Sequence, residues 1–242
     1  MRFQLPKPLH GWREFAGEVG IIVLGVLIAL GAQQLVEELS WRAQVREATD
    51  TLRREVGDHY RATAELVVAA PCIDHQLQLL SAEIAAQPPK PVPVHSDEFE
   101  RQFVIRAPTR AWSDNQWSAV RDEGVASHLG KDLRSDLGYH YAQVEIMREN
   151  NRMTDQLESR LVVLAQPMAF DPATRAHLSE EVQELRGHFD LMRIVGNQII
   201  TRIDQMGFVP SGPVATSATS GTLKFCVARG LPLGSIEPQE AR

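Results

Sequence analysis

Residues 19–32 read Val-Gly-Ile-Ile-Val-Leu-Gly-Val-Leu-Ile-Ala-Leu-Gly-Ala, without a single polar side chain. With its tolerable flanks the run gives about 20 residues, roughly 30 Å of helix, which matches the hydrocarbon thickness of a bilayer. Everything after Glu37 is polar enough to stay in water. The sequence therefore predicts one membrane anchor carrying one sizeable domain. Residues 1–15 form a short cytoplasmic N-terminus and 16–36 the transmembrane helix. Residues 37–207 form an extracytoplasmic helical bundle, and 208–242 a tail rich in Pro, Gly, Ser and Thr.

The orientation follows from charge. Arg2, Lys7 and Arg13 precede the span against Glu14 and Glu18, whereas Glu37 and Glu38 follow it. Excess Lys and Arg close to one end of a span stay in the cytoplasm, so the N-terminus is inside and the domain outside. In a bacterial cell this places the domain on the periplasmic side of the inner membrane. Trp12 and Trp41 bracket the span as interfacial rings do. A cleaved signal peptide competes with this reading, because Ala29-Leu-Gly31 resembles a small-residue cleavage site. The long, partly acidic leader and the helical continuation from Gln33 favour an uncleaved anchor. Both readings leave the domain in one compartment.

The whole chain carries −6 at neutral pH. Residues 1–36 hold three basic side chains against two acidic ones, so the domain itself carries −7. That balance excludes a nucleic-acid binder, which needs a basic face to displace counterions. Two cysteines, Cys72 and Cys226, are too few for a disulfide-dense scaffold but enough for one bridge in an oxidising compartment. The competing reading is two small buried hydrophobes.

Three stretches carry helical periodicity. Val45, Ala48, Leu52, Val56, His59, Thr63, Leu66 and Ala70 advance by threes and fours, so the membrane helix continues outward as a stalk up to Pro71. Leu129, Leu133, Leu137, Tyr141, Val144, Met147, Thr154, Leu157, Leu161 and Leu164 form a second series, stopped by Pro167. Leu178, Val182, Leu185, Phe189, Met192, Val195, Ile199, Ile203 and Met206 form the third, opened by Asp171-Pro172 and closed by Gly207. Shorter helices are predicted at 72–87 and 112–123, the latter with Ser113 and Gln116 spaced as a capping box and Gly124 as a stop. Gln87 to Val94 is a proline-stiffened linker. Phe103 to Ile105 and Thr222 to Val227 are the only weak strand signals. The fold class is all-α, an antiparallel helical bundle.

Gly17-Glu18, the following aliphatics, and Gly25-Val-Leu-Ile-Ala-Leu30 resemble the anchor of a family of bacterial single-pass membrane proteins that carry a domain of unknown function. Thr109-Arg-Ala-Trp112, Trp117, Gly124, Leu129, Leu133, Leu137 and Tyr141 are similar to that family's middle region. Gln33-Gln34-Leu35-Val36-Glu37 departs from its Asn-rich, Trp-containing exit. The resemblance implies a membrane-anchored helical protein and supplies no activity.

Chemical constellations are few. Gly124 to Lys131 is one residue too long for a phosphate loop, has Asp132 where Ser or Thr would hold magnesium, and follows no strand. A helix–helix turn fits it better. Asp136 with His140, His177 with Glu180 or Glu181, and Glu184 with His188 share helix faces, yet such pairs ordinarily form solvated contacts. A metal site would need ligands converging from several helices. His59 lies on the apolar series and reads as a satisfied, partly buried histidine. Trp112 and Trp117, five apart, share no face: one belongs to the core and the other is partly exposed. Neither cysteine has a neighbouring base and no nucleophile elbow exists, so no enzyme and no cofactor are expected.

The leading expectation is an interaction or structural protein whose partners are the lipid bilayer and another membrane or envelope protein, or a second copy. Glu18, Gly25, Ala29 and Ala32 fall on one face of the span, with the small-x-x-x-small spacing that lets membrane helices pack closely. The alternative is a ligand-sensing input domain. With about 15 residues before the span, its signal would pass to a membrane partner.

Overall fold

The computed structural model describes residues 12–86, 91–96, 102–166, 169–212, 214–216 and 220–236. Helix α1, Trp12–Ala85, is 74 residues long, about 110 Å at 1.5 Å per residue. The chain then forms two short antiparallel strands, β1 (His95–Ser96) and β2 (Gln102–Phe103), and helix α2, Asn115–Asp122. A 3-10 turn at Val125–His128 leads into α3, Lys131–Leu161. Helix α4, Pro172–Met206, returns, and a short α5, Gly221–Ala228, closes the chain. The architecture is all-α.

Helix α4 runs antiparallel to both long partners. Along α1 it places Gly196 beside Thr63 and Arg186 beside Asp74, and its Arg175 donates to the Ile84 and Ala86 carbonyls at the C-terminal end of α1. Those carbonyls have no partner further along the helix, so the guanidinium caps them. Along α3, α4 joins Arg202 to Asp136, Gln198 to Gln143, His188 to Asn150 and Glu181 to Arg160. Helices α1 and α3 are therefore parallel to each other. The long crossover 86–114 makes this possible, because it descends the bundle before α3 begins. Gly196 permits the tightest approach: a Cβ there would sit 3.0 Å from the Thr63 methyl.

Several local expectations change in three dimensions. Pro71 does not end a helix; it lies inside α1, and no separate helix starts at 72. A proline inside a helix removes one backbone bond and pushes a carbonyl of the preceding turn aside. Here the carbonyl left without its helical donor is that of Val67, and the C-terminal segment packs against this turn, where Gly234 N–H bonds the neighbouring Val68 carbonyl at 2.8 Å. Only glycine fits comfortably, because a Cβ at 234 would lie 3.1 Å from the Val67 carbonyl oxygen and 3.5 Å from the Pro71 ring. The stalk, too, is not free-standing: from Ala48 onward α1 is buried as the central core helix, with Leu52 and Val56 fully enclosed.

Helix α2 starts at Asn115 with Asp114 as an unbonded cap, so the Ser113–Gln116 capping box does not form. Thr222 to Val227 is helical, within α5, and not a strand. The tail accordingly holds ordered structure: Phe208 and Leu223 are buried in the core, and Ser220 caps α5 by accepting from Leu223 N–H at 3.0 Å. Gly124 takes a left-handed φ of 78° at the turn between α2 and α3. At α4 the local signals suffice, with Asp171 accepting from the Ala173 and Thr174 amides and Gly207 left-handed at the end. Trp41, read from sequence as an interfacial ring, is stacked on His128, ring centroids 3.9 Å apart, at the base of the bundle. Arg2, Lys7, residues 87–90 of the linker and Pro167 lie outside the described residues.

Candidate functional site

Two regions carry functional information. The first is the exposed N-terminal part of α1. Its apolar window is long and hydrophobic enough to cross a membrane and has none of its surface buried by the rest of the chain. Residues 15–40 are exposed throughout, Ile21, Ile22 and Ile28 by 63% or more. So large an apolar surface is not left to water, where burying it is worth about 25 cal/mol per Å². Glu18, Gly25, Ala29 and Ala32 lie on this segment, and a Cβ built on Gly25 meets nothing within 4 Å. The face they share has no partner within the described residues.

The second region is a polar centre inside the bundle, where α1, α3 and the segment before α2 meet. Glu55 projects from α1. One of its carboxylate oxygens accepts from the Tyr141 hydroxyl at 2.6 Å; the other accepts from Ser113 Oγ at 3.0 Å and from the Gln116 amide at 3.2 Å. Glu55 thus does from a distant helix what the local capping box does not, and its charge faces the positive end of α2. One turn further along α1, His59 Nδ1 meets His140 Nε2 of α3 at 3.0 Å. Both rings are in the core, 2% and 0% exposed. Trp112 and Tyr141 flank them, and Trp117 stacks on Tyr141 with centroids 5.5 Å apart and planes within 3°. Both tryptophans are buried, so neither is an exposed aromatic platform. Arg148 ties the segment down through the Trp112 carbonyl at 3.0 Å and Asp114 at 2.9 Å.

Burial dominates the proton chemistry here, because a low dielectric disfavours every charged form. It lowers the His59 pKa below its ordinary value, with nearby Glu55 opposing. It lowers that of His140 to about 3, with His59 adding to the effect. The Tyr141 phenol is pushed well above its usual range by burial and then by its bond to Glu55. At neutral pH the two imidazoles are neutral, one donating to the other. With rings this enclosed, the arrangement joins helices and holds protons; no solvent-borne substrate reaches it.

A second buried carboxylate, Glu65, sits further along α1. Arg110 Nε donates to it at 2.7 Å and the Ser220 hydroxyl also bonds it, so one side chain links α1, the crossover and the α5 cap. Nearby, Cys72 and Cys226 form a disulfide that closes a 154-residue span. Beside this region a cleft of about 920 Å³ is lined by Arg106, Arg110, Asp155, Glu158 and Thr222.

The Asp/Glu–His pairs read from sequence do not converge. Asp136 pairs with Arg202, whereas His140 pairs with His59; His177 lies 3.6 Å from Glu181; His188 bonds Asn150 at 2.7 Å and stands 3.9 Å from Glu184. Among the described residues no cluster of three or more His, Cys, Asp or Glu could hold a metal. Sequence reasoning missed the Glu55–Tyr141 and His59–His140 contacts. The available signal was that His140 and Tyr141 fall in the same apolar stripe as Leu137 and Val144, just as His59 falls in that of α1.

Removing Glu55 would strand the Tyr141 hydroxyl and the α2 amide together. Glu55→Ala is expected to lower stability by about 3 kcal/mol, the order of two bonds to a charged acceptor, and Ser113→Ala by about 1 kcal/mol. Urea unfolding of the chain in detergent checks this, and equal small losses from both variants would contradict the role given to Glu55.

Comparison with protein-family models, curated proteins and solved structures returns no match for this chain. The resemblance of the anchor and middle region therefore rests on the residues that carry it.

Proposed function

We propose that this chain is a single-pass membrane protein of the bacterial inner membrane that holds a helical interaction module in the periplasm and works by binding, not catalysis. One observation carries the reading: the exposed apolar segment and the buried core helix are the same continuous helix, α1. A tether with a flexible joint would leave the domain free to tumble, whereas an unbroken helix fixes its height and direction relative to the bilayer. Such rigidity suits a protein that presents a surface to another membrane or envelope protein, or to a second copy. The acidic domain and the absence of any sequence signal for a cofactor fit the same reading.

Topology is the test. A reporter that functions only outside the cytoplasm, fused after Arg242, is expected to be active, while a reporter that functions only in the cytoplasm is silent at the same position. The reverse pattern sinks the reading. The lysine and arginine excess before the span supplies the direction.

A ligand-sensing module is the second reading. It is favoured by the charged cleft around Arg106 and Arg110 and by the same unbroken helix, along which a displacement would reach the membrane. Small-molecule thermal shifts that depend on Arg106 would support it over the first.

A further inference from the structure

We infer that the His59–His140 contact is an acid-sensitive joint, closed near neutral pH, that clamps the membrane-continuous helix α1 to α3 and releases it in mild acid. Its use in the cell rests on the extracytoplasmic placement proposed above; the joint itself does not.

The geometry sets the constraint. Two ring nitrogens 3.0 Å apart are held together by one proton between them. If both rings are protonated, two N–H groups and two positive charges face each other at that distance, and the rings must separate. A single charge on His59 is favoured by Glu55 and by a hydrogen bond to the Ser113 backbone, yet burial outweighs them. On α1, Glu55 is the nearest anion, and its oxygens already serve Tyr141, Ser113 and Gln116. Asp58, also on α1, is exposed. On α3 the neighbours are Tyr141, held neutral, and Arg148, whose charge opposes protonation. In the segment before α2, Asp114 is engaged by Arg148. Among the described residues no charged group of α4 acts on either ring.

In the unfolded or opened chain both rings take up protons near pH 6.5. Because burial lowers both values in the closed form, the open form binds more protons below pH 6.5. The closed state is therefore fully favoured above about pH 7 and loses ground as pH falls. From pH 7 to pH 5 each ring that stays neutral in the closed form shifts the equilibrium about 25-fold toward opening. The far end of α1 is held independently by the Cys72–Cys226 bridge, by the Gln76 amide bonded to the Arg106 backbone, and by Arg175. Opening is thus confined to the membrane-proximal half, and it changes how firmly the span is fixed to the bundle.

Amide hydrogen exchange on the full chain in detergent micelles, at pH 7 and pH 5 and corrected for intrinsic rates, tests the joint. Segments 48–63 and 137–147 are expected to lose protection at least tenfold at pH 5, while 73–84 and 178–192 hold theirs. In His59→Gln/His140→Gln the pH dependence of the first two segments should vanish. Uniform loss across all four segments, no loss, or an unchanged pH response in the double variant overturns the proposal. If that variant does not fold, ring resonances of labelled histidine in the wild-type chain decide. Rings that protonate between pH 6 and 7 while the helices stay closed overturn it; rings that protonate only as 48–63 opens support it. None of these readouts depends on membrane orientation, so a failed topology reading leaves the result standing.

Discussion

Replacing Cys72 and Cys226 together by alanine is expected to lower the stability of the domain by about 5 kcal/mol. The chain-entropy estimate for a closed loop of 154 residues gives this figure. A domain of this size loses roughly 2–4 °C of melting temperature per kcal/mol, so the midpoint should fall by about 10–20 °C. The effect has a location as well as a size. The bridge holds α5 and the segment after it against α1, and that segment carries the Gly234 amide that occupies the Val68 carbonyl beside Pro71. Without the bridge, α5 should detach and unravel before the bundle melts, so that trypsin cuts after Lys224 and Arg229, whose side chains already face solvent but whose backbone is held by the helix and its C-cap. Thermal unfolding followed by circular dichroism, with limited trypsinolysis at 25 °C, checks both parts. A midpoint within about 3 °C of wild type, with Lys224 and Arg229 still protected, would show that packing alone holds the tail.

A chain that begins at Ser40 is expected to move from the membrane fraction entirely into the soluble one, with the unfolding midpoint of its bundle unchanged. The two halves of this outcome come from one fact. Residues 15–40 are exposed along their whole length, so removing them takes no contact from the core, while it removes the apolar surface that demands a bilayer. The first residue the bundle uses is Trp41, stacked on His128. Trp41→Ala in the shortened chain should therefore destabilise the base of the bundle, where the truncation itself does not. Fractionation after alkaline extraction, followed by calorimetry of the released domain, measures both. A soluble domain that has lost several kcal/mol would mean that the span is part of the fold and not only its tether.

The three long amphipathic series were legible because helical packing repeats every three or four residues, and such a repeat survives in sequence whatever the helix packs against. The ends of α4 were legible for a similar reason: Asp171-Pro172 and Gly207 act through the backbone of their own turn. The end expected at Pro71 was not, since the segment that packs on the proline turn, around Gly234, is 163 positions away. Ser113 and Gln116 carry a local cap signal, yet Glu55 reaches the Gln116 amide from α1 and takes the place of the Ser113 hydroxyl there. Thr222 to Val227 looks extended by composition, but docking against α1 and capping by Ser220 make it helical, tertiary packing overriding a weak propensity.

Sequence alone determined that an N-terminal segment is long and apolar enough to span a membrane, that the domain behind it is helical, and that its net charge is acidic. These follow from polarity and its period, which act locally on any chain. Tertiary structure decided what shares the core: that the exposed apolar segment and the central core helix are one continuous α1, that α1 and α3 run parallel, and that Glu55, His59, His140 and Tyr141 meet. Those choices depend on which residues the crossover brings opposite one another. A hydrogen bond between positions 81 apart leaves no periodic trace in the chain.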